Sequence, residues 1–307
     1  MSDTLVTLDE SGQSENKSQT DESRMTMNLA VLMAAHNRRD TTLLCLRSLF
    51  EGRLDNVRLS VTLVDDGSND GTADAIRLQF PSVAIIHGDG TLFWSRAMAL
   101  AWQSAARSDP DAYLWLNDDV ILDPDAIGRA VEYLTSLSGE SRPVVVGSCR
   151  DPKTNCVTYG GQKRVGTRHF LDLSIIKPDA DAVLDADTMN GNFVLVSREV
   201  WKIVGEIDGR YSHSMGDTDY GFRLREHGIP IRVLNGTVGT CSRDSRPLLA
   251  HRFGTPKNGI LLRDRLIIAK RFGGLLAMPR ACLSSIKYAI LVITAAVLRR
   301  AGSKPSR

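Results

Sequence analysis

Short apolar runs alternate along the chain with segments whose apolar residues recur at helical spacing. An apolar run of about four to eight residues that stops at turn-forming residues is typical of a buried strand. In chain order, the predicted strands are Leu29–Ala35, Leu59–Val64, Val83–Ile86, the first part of Tyr113–Val120, Val144–Gly147 and Phe193–Val196.

Helices are predicted between these strands. Asp40 is expected to cap one that stops at Gly52, and another spans about Trp94–Ala106. Pro124 is expected to open a further helix in its favoured first-turn position. Strands that alternate with helices imply right-handed crossovers and a largely parallel sheet with helices on both faces, a Rossmann-like α/β fold.

The pattern changes in the second half of the chain. Residues 150–190 carry polar and glycine-rich turns with short β-like pieces, which predicts a smaller irregular or antiparallel half that shapes the pocket of a second substrate. The segment Ser197–Gly205 is typical of a short helix, and Met215–Gly228 predicts another with an apolar stripe and a glycine stop.

Acidic residues end the stretch Tyr113–Val120, which reads YLWLNDDV. In open α/β sheets, ligands bind beyond the carboxyl ends of the strands. Asp118 and Asp119 would lie there, where they could hold a metal ion and the phosphates that it neutralises. Gly88 and Gly90 follow the third strand without a third glycine at the dinucleotide-fingerprint spacing, so NAD is not predicted.

The composition is that of a globular protein, with 307 residues, 42% hydrophobic content and a net charge of +2. Charge is unevenly distributed along the chain. Residues 1–28 carry six acids and two bases, whereas 263–307 carry ten bases and one acid. We expect a disordered acidic tail at 1–27, a catalytic domain at 28–240 and a basic C-terminal extension at 241–307.

The five scattered cysteines lack the close spacing of a zinc or redox motif, so free thiols in a reducing compartment are expected. The N-terminus does not show the basic-then-apolar pattern of a signal peptide, which predicts a cytoplasmic location. Nothing in the chain suggests nucleic-acid binding, and a homo-oligomer remains open.

The C-terminal extension contains a predicted hydrophobic helix at about 281–298. Its apolar run is shorter than the ~20 residues that span a bilayer. The flanking Lys287, Arg299 and Arg300 favour the inner face of an anionic membrane, to which the chain would bind peripherally. The alternative is a terminal helix that packs on the catalytic domain or on a partner subunit.

Four motifs occur in a specific order: HNR after the first strand, VDDGSNDGT after the second, LNDDV after the fourth, and GDTDYGFRLREHG near residue 220. This order resembles the family 2 inverting glycosyltransferases, which have the GT-A fold. The segments GDGTLFWSRAM, YGG, MNGN and GDTDYGFR resemble the bacterial branch that acts in surface polysaccharide and glycolipid assembly, including rhamnosyltransferases.

The resemblance implies a divalent ion, Mg²⁺ or Mn²⁺, that neutralises the diphosphate of a sugar nucleotide. Asp119 matches the last acid of the family's D-x-D motif, and Asn117 replaces the first. His251 is a candidate third metal ligand by position. A lone histidine in a loop is otherwise an ordinary surface residue.

The resemblance also assigns the substrate sites. The donor-nucleotide residues that it implies are Ala35, Asn37, Asp66, Gly88, Asp89, Gly90, Asn117 and Asp118. Those implied for the acceptor and the sugar are Trp94, Asn190, Gly191, Asn192, His213 and Asp219.

Asp217 matches the general base that accepts the proton of the acceptor hydroxyl. Gly216 stands where the family usually has glutamate. Without the resemblance, Asp217 is a helix cap, and Asp219 with Arg223 forms an i,i+4 ion pair.

The predicted function is transfer of a single sugar from a nucleoside-diphosphate donor to a hydroxyl of a saccharide or lipid-linked saccharide. Single addition is favoured because the chain lacks the Q-x-x-R-W motif of processive synthases. Two alternatives remain open. One is a nucleotidyltransferase that makes the sugar nucleotide, and the other is a non-catalytic scaffold of a membrane polysaccharide complex.

Overall fold

The computed structural model describes residues 26–137, 142–166, 170–212, 214–242 and 257–273, together with residue 279. Strands and helices alternate up to residue 136, and short strands predominate between residues 144 and 197. The strands are β1 Met27–Ala35, β2 Val57–Asp65, β3 Ala84–His87, β4 Ala112–Leu116, β5 Ile121–Leu122, β6 Val144–Val146, β7 Cys149–Arg150, β8 Val157–Tyr159, β9 Gly161–Arg164, β10 Leu173–Ile175, β11 Leu184–Ala186, β12 Thr188–Met189, β13 Phe193–Ser197, β14 Ile231–Val233 and β15 Gly239–Thr240. The helices are α1 Arg39–Phe50, α2 Thr72–Gln79, α3 Phe93–Ala105, α4 Ala126–Ser136, α5 Arg198–Val204, α6 Gly216–Glu226 and α7 Lys257–Phe272, with a 3₁₀ turn at Ala106–Ser108.

The largest sheet has eight strands in the order β11-β14-β6-β13-β4-β1-β2-β3. On one side of it, β1 pairs in parallel with both β2 and β4, and β2 pairs in parallel with β3. On the other side, β13 runs antiparallel between β4 and β6. The predicted, largely parallel α/β arrangement is therefore confirmed, with two antiparallel strands: β13 next to the central strand and β11 at the edge.

Two smaller sheets account for the irregular second half. β9 pairs antiparallel with both β10 and β12, as predicted for this region. The other small sheet has the order β5-β15-β7-β8 and joins the segment after β4 to the end of the described domain. β5 follows the end of β4 in the chain, and β12 leads into β13, which pairs with that end, so both small sheets connect to the predicted site.

The central strand β4 has apolar side chains on both faces, because both faces of the sheet are covered. Leu114 and Leu116 point into the core formed with α1 and α4. Tyr113 and Trp115 point into the other core, where the Trp115 ring lies 4.9 Å from the Tyr220 ring between centroids. Complete burial of a side chain of this size contributes roughly 1.5–3 kcal/mol to stability.

Several element boundaries differ from the predicted ones. The first strand begins at Met27, so the end of the predicted tail is part of the sheet. Asp40 lies in the first turn of α1, and its predicted capping position belongs to Arg38. Pro124 lies before α4 and outside it, because its carbonyl accepts a hydrogen bond from Arg53 N at 2.7 Å and holds the segment in a turn.

Other predictions can be followed only in the described part of the chain. The cysteines there, Cys45, Cys149, Cys156 and Cys241, are free thiols. None of the helices in the described ranges has both the length and the apolar character needed to cross a bilayer. Residues 1–25, His213, His251 and the predicted helix at 281–298 lie outside the described residues.

Candidate active site

The segment after β4 is fixed by hydrogen bonds from three directions. Asn117 N donates to the carbonyl of Asn192 at 3.1 Å. The carbonyl of Asn117 accepts from the Cys45 thiol at 3.3 Å and from Val120 N at 3.3 Å. The backbone of residues 117–119 is therefore tied to α1 on one side and to the start of β13 on the other.

Asp118 and Asp119 share one positive partner, the guanidinium of Arg38. Arg38 Nη1 lies 3.4 Å from Asp118 Oδ1, and Nη2 lies 2.8 Å from Asp119 Oδ2. Burial raises the pKa of Asp118 to about 7, although the charge of Arg38 opposes the shift. Burial also lowers the pKa of Arg38, but the charges of Asp118 and Asp119 outweigh it and raise this pKa overall.

Asp119 has one oxygen without a hydrogen-bond partner in the described part of the chain. That atom, Oδ1, is buried. The Cys241 thiol is its nearest candidate donor: burial, then the charge of Asp119 and a side-chain hydrogen bond with Asp119, raise the pKa of this thiol. A buried carboxylate oxygen without a donor is unusual in a folded protein and suggests an absent partner.

The described residues could hold a divalent ion through two carboxylates, those of Asp118 and Asp119, and they provide no third protein ligand. Within the described ranges, no group of three histidine, cysteine, aspartate or glutamate side chains forms a metal site. Carboxylate oxygens are nevertheless the ligands that Mg²⁺ and Mn²⁺ prefer. Asp118 and Asp119, with the unpartnered Oδ1, provide such oxygens, and the Arg38 guanidinium already occupies part of the same space.

The predicted donor residues meet in three adjacent loops beyond β1, β2 and β3. Asn37 N donates to Ser68 Oγ at 2.8 Å, and Asn37 Oδ1 accepts from Asn69 N at 2.8 Å. The carbonyl of Ala35 accepts from Asp66 N at 2.9 Å. These contacts hold the loops together, and the predicted backbone contact at Ala35 is already made within the protein.

Asp66, a predicted donor-nucleotide residue, is hydrogen-bonded to the loop that follows β3. Its carboxylate accepts hydrogen bonds from Gly90 N at 2.8 Å, Phe93 N at 2.9 Å and Leu92 N at 3.3 Å. The side chain is buried, so it organises the loop that follows β3 and does not lie open to a nucleotide.

Glycines allow this close packing of the donor loops. A Cβ on Gly88 would lie 2.5 Å from Asp66 Oδ1, and one on Gly67, where φ is +68°, would lie 2.7 Å from Gly90 N. The adjacent Asp89 is exposed and accepts from Thr91 N at 2.9 Å and from Thr91 Oγ1 at 2.6 Å. Hydrogen bonds from Thr91 lower the pKa of Asp89.

Trp94, in the first turn of α3, connects the donor side to the acceptor side. Its indole Nε1 donates to Asn117 Oδ1 at 2.7 Å. Its ring lies edge-to-face with Trp115 at a centroid distance of 6.2 Å. A Cβ on Gly191 would come within 2.4 Å of the Trp94 ring, so glycine is required for this packing.

Asp217 lies in the first turn of α6, directly across from Gly191. Its Oδ2 accepts from Gly191 N at 3.1 Å, and its Oδ1 accepts from Thr218 N at 2.8 Å. Burial raises the pKa of Asp217, while the Thr218 and Gly191 backbone hydrogen bonds oppose the shift. A partly exposed carboxylate with a raised pKa is a stronger base than an ordinary aspartate, which suits it to accept a proton.

The other predicted acceptor residues are divided between the site and the interior. Asn190 Oδ1 is buried and has no hydrogen-bond partner in the described chain. Asn192 is itself buried, and its Nδ2 is 3.6 Å from the Cys241 sulfur, so this residue fixes the loop from inside.

Asp219 does not belong to the acceptor site, which corrects the prediction. Its side chain has no exposed surface and accepts from Arg223 Nε at 2.9 Å, Tyr211 Oη at 3.0 Å and Arg271 Nη1 at 3.2 Å. Residues two positions apart lie about 200° around a helix axis, so Asp217 and Asp219 face opposite sides of α6. The alternative i,i+4 ion pair with Arg223 is confirmed.

Two residues that support this region were not among the predicted site residues. Arg38 belongs to the HNR motif, but its ion pairs cross a separation of 81 residues to Asp119. Asp264 in α7 is fully buried, and its carboxylate accepts from Ser212 N and Ser214 N, each at 3.2 Å. Asp264 is the one acid in residues 263–307, which also contain ten bases. This contrast is the sequence signal that could have identified it as a residue with a specific role.

The two acidic clusters are joined by a path of direct contacts across the carboxyl end of β4. Asn117 binds Trp94, Trp94 packs on Gly191, and Gly191 binds Asp217. In the backbone, Asn117 N also bonds to Asn192, next to Gly191. The carboxylates after β4 and the carboxylate of α6 are therefore connected through Asn117, Trp94 and Gly191.

The family model described as "Glycosyl transferase family 2" matches residues 30–195, more than half of the chain. This match includes β1 to β12 and the start of β13. It ends before α6, so Asp217 lies beyond it. No curated protein sequence gives a significant match.

Solved structures share the fold at low sequence identity. The mannosyltransferase PcManGT from Pyrobaculum calidifontis, in complex with GDP-Man and Mn²⁺, is 16% identical with a TM-score of 0.53, over 90% of this chain and 79% of that one. TarS 1–349 of S. aureus, in complex with UDP-GlcNAc, is 12% identical with a TM-score of 0.54, over 79% and 67%.

A third structure extends the comparison to a longer protein. GalNAc-T7 with UDP, GalNAc and Mn²⁺ is 11% identical with a TM-score of 0.59, over 78% of this chain. The match spans about half of GalNAc-T7, 49% of its chain. At these identities the likeness establishes the fold, which is the GT-A fold of all three.

Proposed function

The chain belongs to glycosyl transferase family 2, and on that basis we propose that it is a metal-dependent, inverting glycosyltransferase. It transfers one sugar from a nucleoside-diphosphate donor to a hydroxyl of a saccharide or lipid-linked saccharide. The product contributes to cell-surface glycan assembly, in keeping with the resemblance to the surface-polysaccharide and rhamnosyltransferase branch.

One observation carries the proposal: the contact path from Asn117 through Trp94 and Gly191 to Asp217. Glycosyl transfer needs a group that handles the leaving diphosphate and a separate base that handles the attacking hydroxyl. The path supports placing these groups on either side of one opening. Trp94 would form the wall between them, and an aromatic wall is suited to packing against the apolar face of a sugar.

Asp217 acts as the general base in this proposal. Its Oδ2 and Oδ1 hydrogen bonds to backbone N–H groups fix the carboxylate, and its raised pKa increases its affinity for the proton of the acceptor hydroxyl. The hydroxyl oxygen then attacks the anomeric carbon as the bond to the diphosphate breaks. A single displacement inverts the anomeric centre and requires no covalent sugar–enzyme intermediate.

Asp119 and Asp118 would hold Mg²⁺ or Mn²⁺, with His251 as the candidate third ligand. When bound, the ion supplies positive charge for the departing diphosphate. The fit is supported by the unpartnered Asp119 Oδ1 and by the Mn²⁺ present in the PcManGT and GalNAc-T7 structures. Asn117, held by Trp94, is left to position the donor and not to bind the ion.

The donors in the related structures are GDP-Man and UDP-GlcNAc, which supports a nucleoside diphosphate in the loops after β1, β2 and β3. We infer that residues 28–240 form the catalytic domain and that the basic extension, 241–307, brings it to the inner face of the cytoplasmic membrane. A lipid-linked acceptor would be found on the same surface.

The proposal is tested by measuring sugar transfer with a panel of UDP-, GDP- and dTDP-sugars. Thermal stabilisation by each donor, with Mn²⁺, Mg²⁺ or EDTA, identifies the donor, since a ligand that binds the folded state raises its stability. The proposal is supported if Asp119→Ala and Asp217→Asn both fold but no longer transfer the sugar.

Two other outcomes would contradict it. Release of pyrophosphate from a nucleoside triphosphate and a sugar phosphate would identify a nucleotidyltransferase. Donor binding without turnover for any donor would identify a non-catalytic scaffold.

A further inference from the structure

Arg38 is the one described cation that contacts both carboxylates of the segment after β4. Its guanidinium lies 3.4 Å from Asp118 Oδ1 and 2.8 Å from Asp119 Oδ2. Its backbone is fixed at the start of α1, where the carbonyl accepts from Thr42 N and Thr42 Oγ1, each at 2.9 Å. Its side chain remains 44% exposed. The backbone is therefore held, while the guanidinium can leave the carboxylates without disturbing the core.

The charges at this position do not balance. Two carboxylates face one guanidinium, and the adjacent Cys241 thiol, which is uncharged when it donates, is the other donor near the Asp119 carboxylate in the described part of the chain. A divalent ion bound through Asp119 would approach the same oxygens that Arg38 already contacts. Like charges a few ångströms apart repel, so the guanidinium and the ion cannot both keep these contacts without cost.

A donor diphosphate changes this balance. It brings negative charge that the displaced guanidinium can bind in the bidentate manner typical of arginine. Arg38 follows β1, whose carboxyl end is on the same edge of the sheet as that of β4. From this position, the side chain can turn from the acid pair towards the donor site without any movement of the backbone.

We propose that Arg38 is a resident counter-ion that occupies the acid pair in the absence of a divalent ion and transfers to the diphosphate when ion and donor bind together. The inference rests on the proposed function. Arg38 then weakens binding of the ion alone and strengthens binding of the donor, so it makes the two events depend on each other. Such coupling is reciprocal by thermodynamic necessity.

A purely structural ion pair makes the opposite prediction. In that case Arg38 would only hold the two carboxylates in place. If Arg38 merely positions Asp118 and Asp119 for the ion, its removal weakens ion binding. If it competes with the ion, its removal strengthens ion binding, and the sign of the change distinguishes the two roles.

The test measures Mn²⁺ binding to the full chain without donor, by titration calorimetry or by the electron paramagnetic resonance of free Mn²⁺. Arg38→Gln is expected to bind Mn²⁺ about tenfold more tightly than the wild type, because a repelling charge is removed. With saturating Mn²⁺, the same variant should bind UDP or GDP about tenfold more weakly, because an arginine–phosphate contact is lost. Thermal melting confirms that the variant is folded.

Two further variants identify the charge of Arg38 as the cause. Arg38→Lys keeps the charge and should retain the wild-type Mn²⁺ affinity. Arg39→Gln removes the neighbouring arginine, which pairs with the exposed Asp40, and should change neither affinity. A gain in Mn²⁺ affinity for Arg39→Gln as large as for Arg38→Gln would overturn the proposal.

The inference is overturned if Arg38→Gln binds Mn²⁺ no more tightly than the wild type does. It is also overturned if neither protein binds Mn²⁺. The proposed function fails separately, by the absence of sugar transfer in the wild type. Transfer by the wild type without an affinity gain in Arg38→Gln therefore refutes only the role of Arg38.

Discussion

The backbone N–H of Gly191 donates a hydrogen bond to Asp217 Oδ2 at 3.1 Å. This contact joins the turn between β12 and β13 to the first turn of α6, two segments that are 26 residues apart. Gly191 also lies against Trp94, so the carboxylate, the turn and the aromatic wall form one unit. Several properties of the proposed site depend on this unit.

Asp217→Asn should lower kcat by about 10²–10⁴-fold, the usual contribution of a general base. Asparagine keeps the size of the side chain and can still accept from Thr218 N, so donor binding with Mn²⁺ should be unchanged. Steady-state kinetics and donor titration measure the two effects. Glu226→Gln, at the exposed end of α6, is the control. A variant that retained wild-type kcat would exclude Asp217 as the base.

The pH dependence of kcat should show an acidic limb above the ordinary aspartate pKa of 3.8, because burial raises the pKa of Asp217. The base must be deprotonated to act. The rate therefore falls as the pH drops through the raised pKa of Asp217, and it reaches its plateau at pH values above this pKa. Protonation of Asp118, whose pKa is about 7, could also lower the rate in this range. Donor affinity measured over the same pH values distinguishes the two effects, because Asp118 belongs to the proposed donor site. A limb at or below 3.8 would contradict the assignment.

Gly191→Ala should impair both stability and turnover, because the new Cβ would lie 2.4 Å from the Trp94 ring. Overpacking of this kind costs roughly 1–3 kcal/mol, and displacement of Trp94 would also break its bond to Asn117. Thermal melting and kcat are the measurements. Gly209→Ala, where a Cβ meets nothing within 4 Å, should have little effect on either. Equal effects of the two substitutions would refute the packing argument.

Much of the fold could be predicted because its signals are local. The apolar runs that became β1, β2, β3 and β4 each end at polar turn residues, and strand–helix alternation fixes their parallel order. β5 and β15 were not predicted, because two-residue strands leave no periodicity to detect. The antiparallel insertion of β13 next to β4 is likewise a long-range pairing without a local signal.

The candidate site was predictable in its motifs but not in its partners. Asn117 and Asp217 lie in motifs whose order carries information, whereas the bond from Trp94 to Asn117 depends on tertiary packing. Asp66 shows the same limit, since its partners Gly90, Leu92 and Phe93 lie in another loop. That Asp219 faces away from Asp217 could have been predicted from the sequence, because residues two positions apart point to opposite sides of a helix.

Asp66→Asn should destabilise the donor loop, because the amide places an N–H group where the carboxylate accepts backbone N–H bonds. Loss of such buried bonds costs about 1–3 kcal/mol. Donor affinity should fall, while the Mn²⁺ affinity of the acid pair after β4 should not change. Asp55→Asn, at an exposed turn, is the control. Unchanged stability together with weaker donor binding would instead indicate direct contact between Asp66 and the nucleotide.

Asp264→Asn should lower kcat more than it weakens donor binding, because Asp264 acts on the segment that leads into the base helix. Its buried carboxylate accepts from Ser212 N and Ser214 N, each at 3.2 Å, and Ser212 in turn accepts from Ser95 N in α3. An asparagine retains only one acceptor oxygen, so we expect a loss of about 1–3 kcal/mol in stability. Lys270→Gln, on the exposed face of the same helix, controls for changes in α7. Thermal melting, kcat and donor affinity together test the argument: an equal loss of donor affinity and kcat would mean that α7 supports the whole domain and not the base in particular.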